Sequence, residues 1–147
     1  MLNSSLLELW KEGRTRFTKV LELVQESDLS KKNGESPNSA GFLIRHIAEV
    51  ELLFAKNVFG LPEVKIVAKT LIAGKDTGEW TNLEELKEIS KQAAEMLGKA
   101  ILAQENWDEI IETKEFGKKT RAEALGRITT HTAYHAGQLA IILKYGA

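Results

Sequence analysis

Residues 120–145 read TRAEALGRITTHTAYHAGQLAIILKY, and their apolar side chains recur every three or four positions. That spacing predicts a helix with one buried face. Thr120 and Glu123 form a capping-box pattern at its start, and Gly146 follows its end. The predicted buried face consists of Leu125, Ile128, His131, His135, Leu139 and Ile142. Two histidines four residues apart therefore lie on an apolar helix face instead of a solvated one.

The same spacing predicts three more helices upstream. The first covers residues 3–25, the second begins at Ser36-Pro37 and stops at Gly60, and the third covers residues 81–101. Residues 107–119 are predicted to form a loop with a short extended pair. The connection over residues 61–80 is long for a tight antiparallel hairpin, so it can carry the chain back and make the second and third helices parallel. We predict an all-α four-helix bundle that forms one domain over residues 1–147.

Length, charge and hydropathy restrict the partners that we expect. The chain has 147 residues and a net charge of −1, with acidic and basic residues interspersed. Nucleic acid is not an expected partner, because no dense stripe of Lys and Arg is present to neutralise phosphates. No apolar run is long enough for a membrane span, and the first residues do not resemble a signal peptide. We therefore expect a cytoplasmic protein without membrane contact.

Several enzyme classes are excluded by the residues present. The chain has no cysteine, which excludes disulfides, zinc–thiolate sites and a cysteine nucleophile. The residues between His131 and His135 are Thr-Ala-Tyr, so the H-E-x-x-H arrangement of zinc proteases is missing. No Ser or Thr has a base at helical spacing, which leaves a serine-hydrolase triad without support.

The chain's third histidine, His46, lies on the apolar face of the second predicted helix, three residues after Leu43 and four before Val50. If this helix packs against the last one, His46 meets His131 and His135. Three neutral imidazoles suit Zn²⁺, Ni²⁺ or Fe²⁺ and leave coordination positions open. Alternatively, each can be a core histidine satisfied by ordinary hydrogen bonds. Spacing alone gives these two interpretations equal weight.

Three polar residues stand one helical turn from a histidine and are candidate catalytic residues. Glu49 follows His46, Gln138 follows His135, and Arg127 precedes His131, where it can receive an anionic group. The competing interpretation of Glu49 as a solvated helix charge is favoured, and Glu51 is expected at the surface. Arg127 has the alternative of an exposed pair with Glu123.

Two segments resemble motifs of the DinB/YfiT-like proteins. Those proteins combine a T-R-x-E-x-L opening with H-x-x-x-H-x-G-Q-L and a final glycine, which residues 120–139 and Gly146 match. Residues 43–51, Leu-Ile-Arg-His-Ile-Ala-Glu-Val-Glu, are similar to the second-helix motif of that family. Order and spacing agree, and the resemblance covers most of the chain.

The resemblance implies an up-down-down-up four-helix bundle with one divalent metal ion, zinc or nickel, with iron or manganese as alternatives. The ligands carried over by the motifs are His46, His131 and His135. It implies a metal-dependent thiol S-transferase that acts on a small-molecule substrate with a low-molecular-weight thiol, in detoxification or the stress response. A metal-dependent hydrolase and a non-enzymatic metal-binding bundle remain alternatives. No catalytic role follows for Glu49, Gln138 or Arg127.

The resemblance also implies a homodimer. The apolar residues around positions 64–72 can cover a partner, and covering the chain's own bundle explains them equally well.

Overall fold

The computed structural model describes residues 1–147 and is mostly helical, which agrees with the all-α prediction. Its helices are α1 (Leu2–Leu23), α2 (Ala40–Leu53), α3 (Lys69–Ala73), α4 (Leu83–Leu102) and α5 (Arg121–Tyr145). A π-helical turn, Phe54–Val58, continues α2, and a 3-10 turn, Glu26–Asp28, follows α1. Strands β1 (Ile110–Thr113) and β2 (Gly117–Thr120) pair antiparallel where the sequence predicts a short extended pair. None of the helices combines the length and apolar character needed to cross a bilayer.

Side-chain caps fix where α2 and α5 begin. The Thr120 side chain accepts a hydrogen bond from the Glu123 backbone N–H at 3.0 Å, and the Glu123 carboxylate accepts from the Thr120 N–H at 2.9 Å. This reciprocal box starts α5 as predicted. Ser39 caps α2, which therefore begins at Ala40, three to four residues after the predicted Ser36-Pro37 start.

The four long helices pack around two hydrophobic clusters, one that includes Trp10 and one that includes Phe17. α1 contacts α4 and α5, and α2 also contacts α4 and α5. The Asn3 side chain at the start of α1 donates to the Leu102 carbonyl at the end of α4 at 2.9 Å, so these two helices run in opposite directions. Burial of apolar surface between the helices is the main stabilising term.

A buried ion pair joins α1 to α2. The Arg14 guanidinium donates to both carboxylate oxygens of Glu51 at 2.9 Å and to the Ser90 carbonyl of α4 at 3.0 Å. Glu51 is 0% exposed, so the prediction that it lies at the surface is wrong. The reason is that nearly every residue of α2 is buried, and α1 supplies the cation that a buried carboxylate needs.

The connection between α2 and α4 contains the short helix α3 and is attached to α2 at several points. The Arg45 Nη2 donates to the Val67 carbonyl at 3.1 Å, and the Ser39 N–H donates to the Asp76 carboxylate at 2.8 Å. Val64 is buried in the core. The exposed apolar residues of this connection are Val67, Leu71 and Ile72. These three side chains are therefore covered only in part by their own chain.

Candidate metal centre

The three histidines converge between α2 and α5. The ring centroids lie 5.1 Å apart for His46 and His131, 4.9 Å for His46 and His135, and 4.5 Å for His131 and His135. Each residue offers one ring nitrogen, and these nitrogens all lie within 4.8 Å of one another. The structure thus brings together the three histidines that the sequence singles out, in a cluster that can hold a metal ion.

Helix geometry explains the convergence. His131 and His135 are one turn apart on α5, and their side chains project from the same face. α2 packs against α5 and contributes His46 from the other side. The Phe42 ring, one turn before His46 on α2, stacks on it at a centroid distance of 5.8 Å and an interplanar angle of 6°. This stacking restricts the orientation of the His46 ring.

The protein environment keeps the imidazoles neutral. Burial, together with the nearby His135, lowers the pKa of His46 to about 4. Burial and the other two histidines lower the pKa of His131 to about 3. Burial also lowers the pKa of His135. At pH 7 all three rings therefore have a lone pair available, and the neutral imidazole is the form that binds metal.

Hydrogen bonds to the ring nitrogens determine which nitrogen of each histidine keeps a lone pair for a metal ion. His135 Nδ1 lies 2.7 Å from Gln138 Oε1, so the Nδ1–H donates to the amide oxygen and Nε2 keeps its lone pair. Gln138 thus orients His135. His131 Nδ1 is buried and has no hydrogen-bond partner. An unsatisfied buried nitrogen is unfavourable in a metal-free core, which fits a site that is built to hold an ion.

Glu49 is fully buried, so its interpretation as a solvated helix charge is wrong. Its carboxylate accepts from the Arg45 Nε at 2.6 Å, from the Thr70 backbone N–H at 3.0 Å, and from the Thr70 hydroxyl. Thr70 in turn lies 3.2 Å from His46 Nδ1. Glu49 therefore reaches the cluster only through Thr70. The spacing of Arg45 and Glu49 is a sequence signal for their pairing, but no pattern identifies Thr70.

Arg127 is exposed and makes no ion pair, so the alternative pairing with Glu123 is not observed. The Glu123 carboxylate is instead part of the α5 cap. Arg127 borders a surface hollow of about 370 Å³. The other lining residues of this hollow are Thr130, His131 and Tyr134. The guanidinium is thus free to meet an anion beside one histidine of the cluster.

A larger groove of about 730 Å³ runs between α1 and α5 on the other side of Thr130, which lines both depressions. Trp10 and Gly13 contribute to its α1 wall, and Leu125 and Gly126 to its α5 wall. Its volume is in the range of small-molecule sites. The hollow therefore offers space for a ligand beside His131, and the groove shares Thr130 with it.

Comparison with known proteins adds one finding. Residues 9–139 match the sequence model of a family described as the DinB superfamily. The matched range contains α2 and all three histidines. A search of curated proteins found no match.

Proposed function

Because this chain belongs to the DinB superfamily, we propose that it binds one divalent metal ion and is a thiol S-transferase of detoxification or the stress response. The proposed ligands are His46, His131 and His135. The observation that carries the proposal is the convergence of three neutral imidazoles whose nitrogens lie within 4.8 Å of one another. Zinc and nickel suit an all-imidazole ligand set, with iron or manganese as alternatives.

Two features of the chain support our choice of a transferase over a hydrolase: it has no thiol of its own, and Glu49 is already engaged in hydrogen bonds. When bound, the ion lowers the pKa of a thiol, or of a water molecule in the alternative hydrolase reaction, and so supplies a nucleophile at neutral pH. The chain has no cysteine, so a thiol must arrive as a cosubstrate, a low-molecular-weight compound. Both Glu49 oxygens already accept hydrogen bonds, and the carboxylate does not act as a free base at the cluster. A thiol is a much stronger acid than water, so its pKa needs a smaller shift to give a nucleophile at neutral pH, which favours the transferase.

Two of the candidate residues receive roles in this proposal. Arg127 receives an anionic group of the substrate in the hollow that it shares with His131. Gln138 holds the His135 ring through the 2.7 Å contact to Nδ1. The remainder of the substrate lies along the groove between α1 and α5. Glu49 does not contact His46 directly and is connected to it by hydrogen bonds through Thr70.

We infer further that the four long helices form one domain with up-down-down-up order. The opposite directions of α1 and α4 support this order. So does the Arg121 Nε at the start of α5, which donates to the Val58 carbonyl beyond the end of α2 at 3.1 Å. A homodimer in the cytoplasm remains part of the proposal, and the exposed apolar residues of the α2–α4 connection are the surface that we assign to it.

The proposed function is tested with protein that has been stripped by a chelator and reloaded with Zn²⁺ or Ni²⁺. The loaded protein is mixed with a panel of low-molecular-weight thiols and the electrophile monochlorobimane, and conjugation is followed by fluorescence. We expect thiol-dependent turnover that needs the metal and is abolished in His131→Ala. Lys144→Ala, an exposed substitution on the same helix, is the matched control and should behave as wild type.

The same assay separates the alternatives. Absence of thiol-dependent turnover by the loaded protein contradicts the transferase. Metal-dependent hydrolysis of an activated ester without added thiol would then indicate a hydrolase. Metal binding with neither activity would indicate a non-enzymatic metal-binding protein.

A further inference from the structure

Thr70 contacts the histidine cluster from outside the two helices that carry it. It is the second residue of α3, in the α2–α4 connection, and it is only 2% exposed. Its Oγ1 lies 3.2 Å from His46 Nδ1, across 24 residues of sequence. A buried hydroxyl at this distance from a histidine nitrogen is either its donor or its acceptor.

The hydrogen bonds around Glu49 decide between these two roles. A threonine hydroxyl has one proton, and Thr70 donates it to Glu49 Oε1. The carboxylate also accepts from the Arg45 Nε and from the Thr70 backbone N–H, as expected for an ionised group that has no proton of its own to give. The Thr70 oxygen therefore offers only a lone pair to His46. His46 Nδ1 must be the donor, so its Nε2 is left unprotonated.

We propose that Thr70 is a positioning residue of the metal site, which holds His46 in the Nδ1–H tautomer so that the Nε2 lone pair is free for the ion. Without this acceptor, a neutral histidine is free to place its proton on Nε2, where it would block ligation. The effect on metal affinity rests on the metal site proposed above. The tautomer itself does not, because it is a property of the metal-free protein.

The proposal makes the α2–α4 connection part of the metal site. Thr70 is held in place by its two hydrogen bonds to Glu49, and the chain nearby is held by the Arg45–Val67 hydrogen bond at 3.1 Å. Both contacts tie α3 to α2. Correct folding of this connection therefore sets the protonation pattern of a ligand on α2, and metal binding in turn stabilises the connection by linkage.

The tautomer is measured by NMR of ¹⁵N-labelled imidazoles in metal-free protein at pH 7. We expect His46 of the wild type to have a protonated Nδ1 and an unprotonated Nε2. Thr70→Val keeps the shape of the side chain and removes the acceptor, so the Nε2–H form should become populated. Thr70→Ser should restore the wild-type pattern. Thr129→Val is the matched control, because its hydroxyl bonds only to the Leu125 carbonyl, at 2.7 Å.

Metal affinity provides the second readout. Loss of such an outer-shell contact typically weakens binding by about 10- to 100-fold, so Thr70→Val should raise the Kd for Zn²⁺ by that factor while Thr70→Ser and Thr129→Val stay within threefold. Glu49→Met removes the acceptor of the Thr70 proton, so the hydroxyl can donate to His46 Nδ1 and the Nε2–H form should again become populated. This variant covers the case of a Thr70→Val protein that does not fold. A Thr70→Val or Glu49→Met protein with an unchanged His46 tautomer overturns the proposal. A wild type that binds no Zn²⁺ contradicts the proposed function, while the tautomer measurement still decides the role of Thr70.

Discussion

Arg14 and Glu51 meet in the interior through two parallel hydrogen bonds of 2.9 Å, one to each carboxylate oxygen. Neither side chain has more than 8% exposure. The Arg14 guanidinium also lies 5.3 Å from the centroid of the Phe17 ring. A bidentate pair of this kind gives a strict geometric relation between α1 and α2, although its net stabilisation is small because both charges are desolvated.

Breaking this pair from one side should destabilise the protein strongly. In Glu51→Ala the Arg14 cation stays buried without a counter-charge, and we expect the free energy of unfolding to fall by about 3–5 kcal/mol. Urea denaturation followed by circular dichroism measures this. The double variant Arg14→Met/Glu51→Leu is the control, since it removes both charges and should lose much less. A single variant that unfolds within about 1 kcal/mol of the wild type would show that the pair is not buried as described.

Gly41 marks a close approach between the start of α2 and the segment before α4. A Cβ at this position would collide with the Trp80 backbone carbonyl, which cannot move aside as a flexible side chain can. We expect Gly41→Ala to lower the free energy of unfolding by about 1–3 kcal/mol. At Gly126, in the middle of α5, an added Cβ meets nothing within 4 Å, so Gly126→Ala should stabilise the protein by about 0.5–1 kcal/mol. Chemical denaturation of the two glycine variants measures both changes in the free energy of unfolding. Equal changes at the two sites would contradict the described packing.

The metal-free protein should lose stability in mild acid because of its histidines. The folded-state pKa is about 4 for His46 and about 3 for His131, below the usual value of 6.5. Below pH 6.5 the unfolded chain therefore binds protons at these two positions that the folded chain does not, and acid favours unfolding. The contribution of the two histidines to stability is fully present above pH 6.5 and should fall as the pH decreases from 6.5 towards 4, with an uptake of about two protons on unfolding.

Thermal denaturation of chelator-treated protein between pH 7.5 and 5 measures this dependence. His131→Asn, which has no titratable group at the position, should show a shallower decline. A melting temperature that does not change over this range would contradict neutral, partly buried imidazoles in the folded state.

Local spacing was sufficient to predict the helices that carry the site. The apolar positions of residues 120–145 lie on one face at a period near 3.6, and α5 ends at Tyr145 as this pattern requires. His131 and His135 belong to that face, so their proximity to each other follows from helix geometry alone. To predict that His46 lies beside His131 and His135, one must also infer that α2 packs against α5. The apolar face of α2 indicates this packing.

The surroundings of the cluster were not predictable in the same way. Glu49 and Glu51 look like exposed helix charges in sequence, and both are 0% exposed. Tertiary contacts bury these two carboxylates, because Arg14 of α1 pairs with Glu51 and Thr70 of α3 covers Glu49. Thr70 lies in a connection without hydrophobic periodicity, and nothing local in the chain relates it to a histidine 24 residues earlier.

Isothermal titration of Zn²⁺ and Ni²⁺ into chelator-treated protein tests most directly whether residues 46, 131 and 135 form a metal site. The account predicts one ion per chain for the wild type. It also predicts that His46→Ala, His131→Ala and His135→Ala each lose this binding while they keep the helical circular dichroism spectrum. A wild-type protein that binds neither ion, or alanine variants that bind as tightly as the wild type, would contradict it.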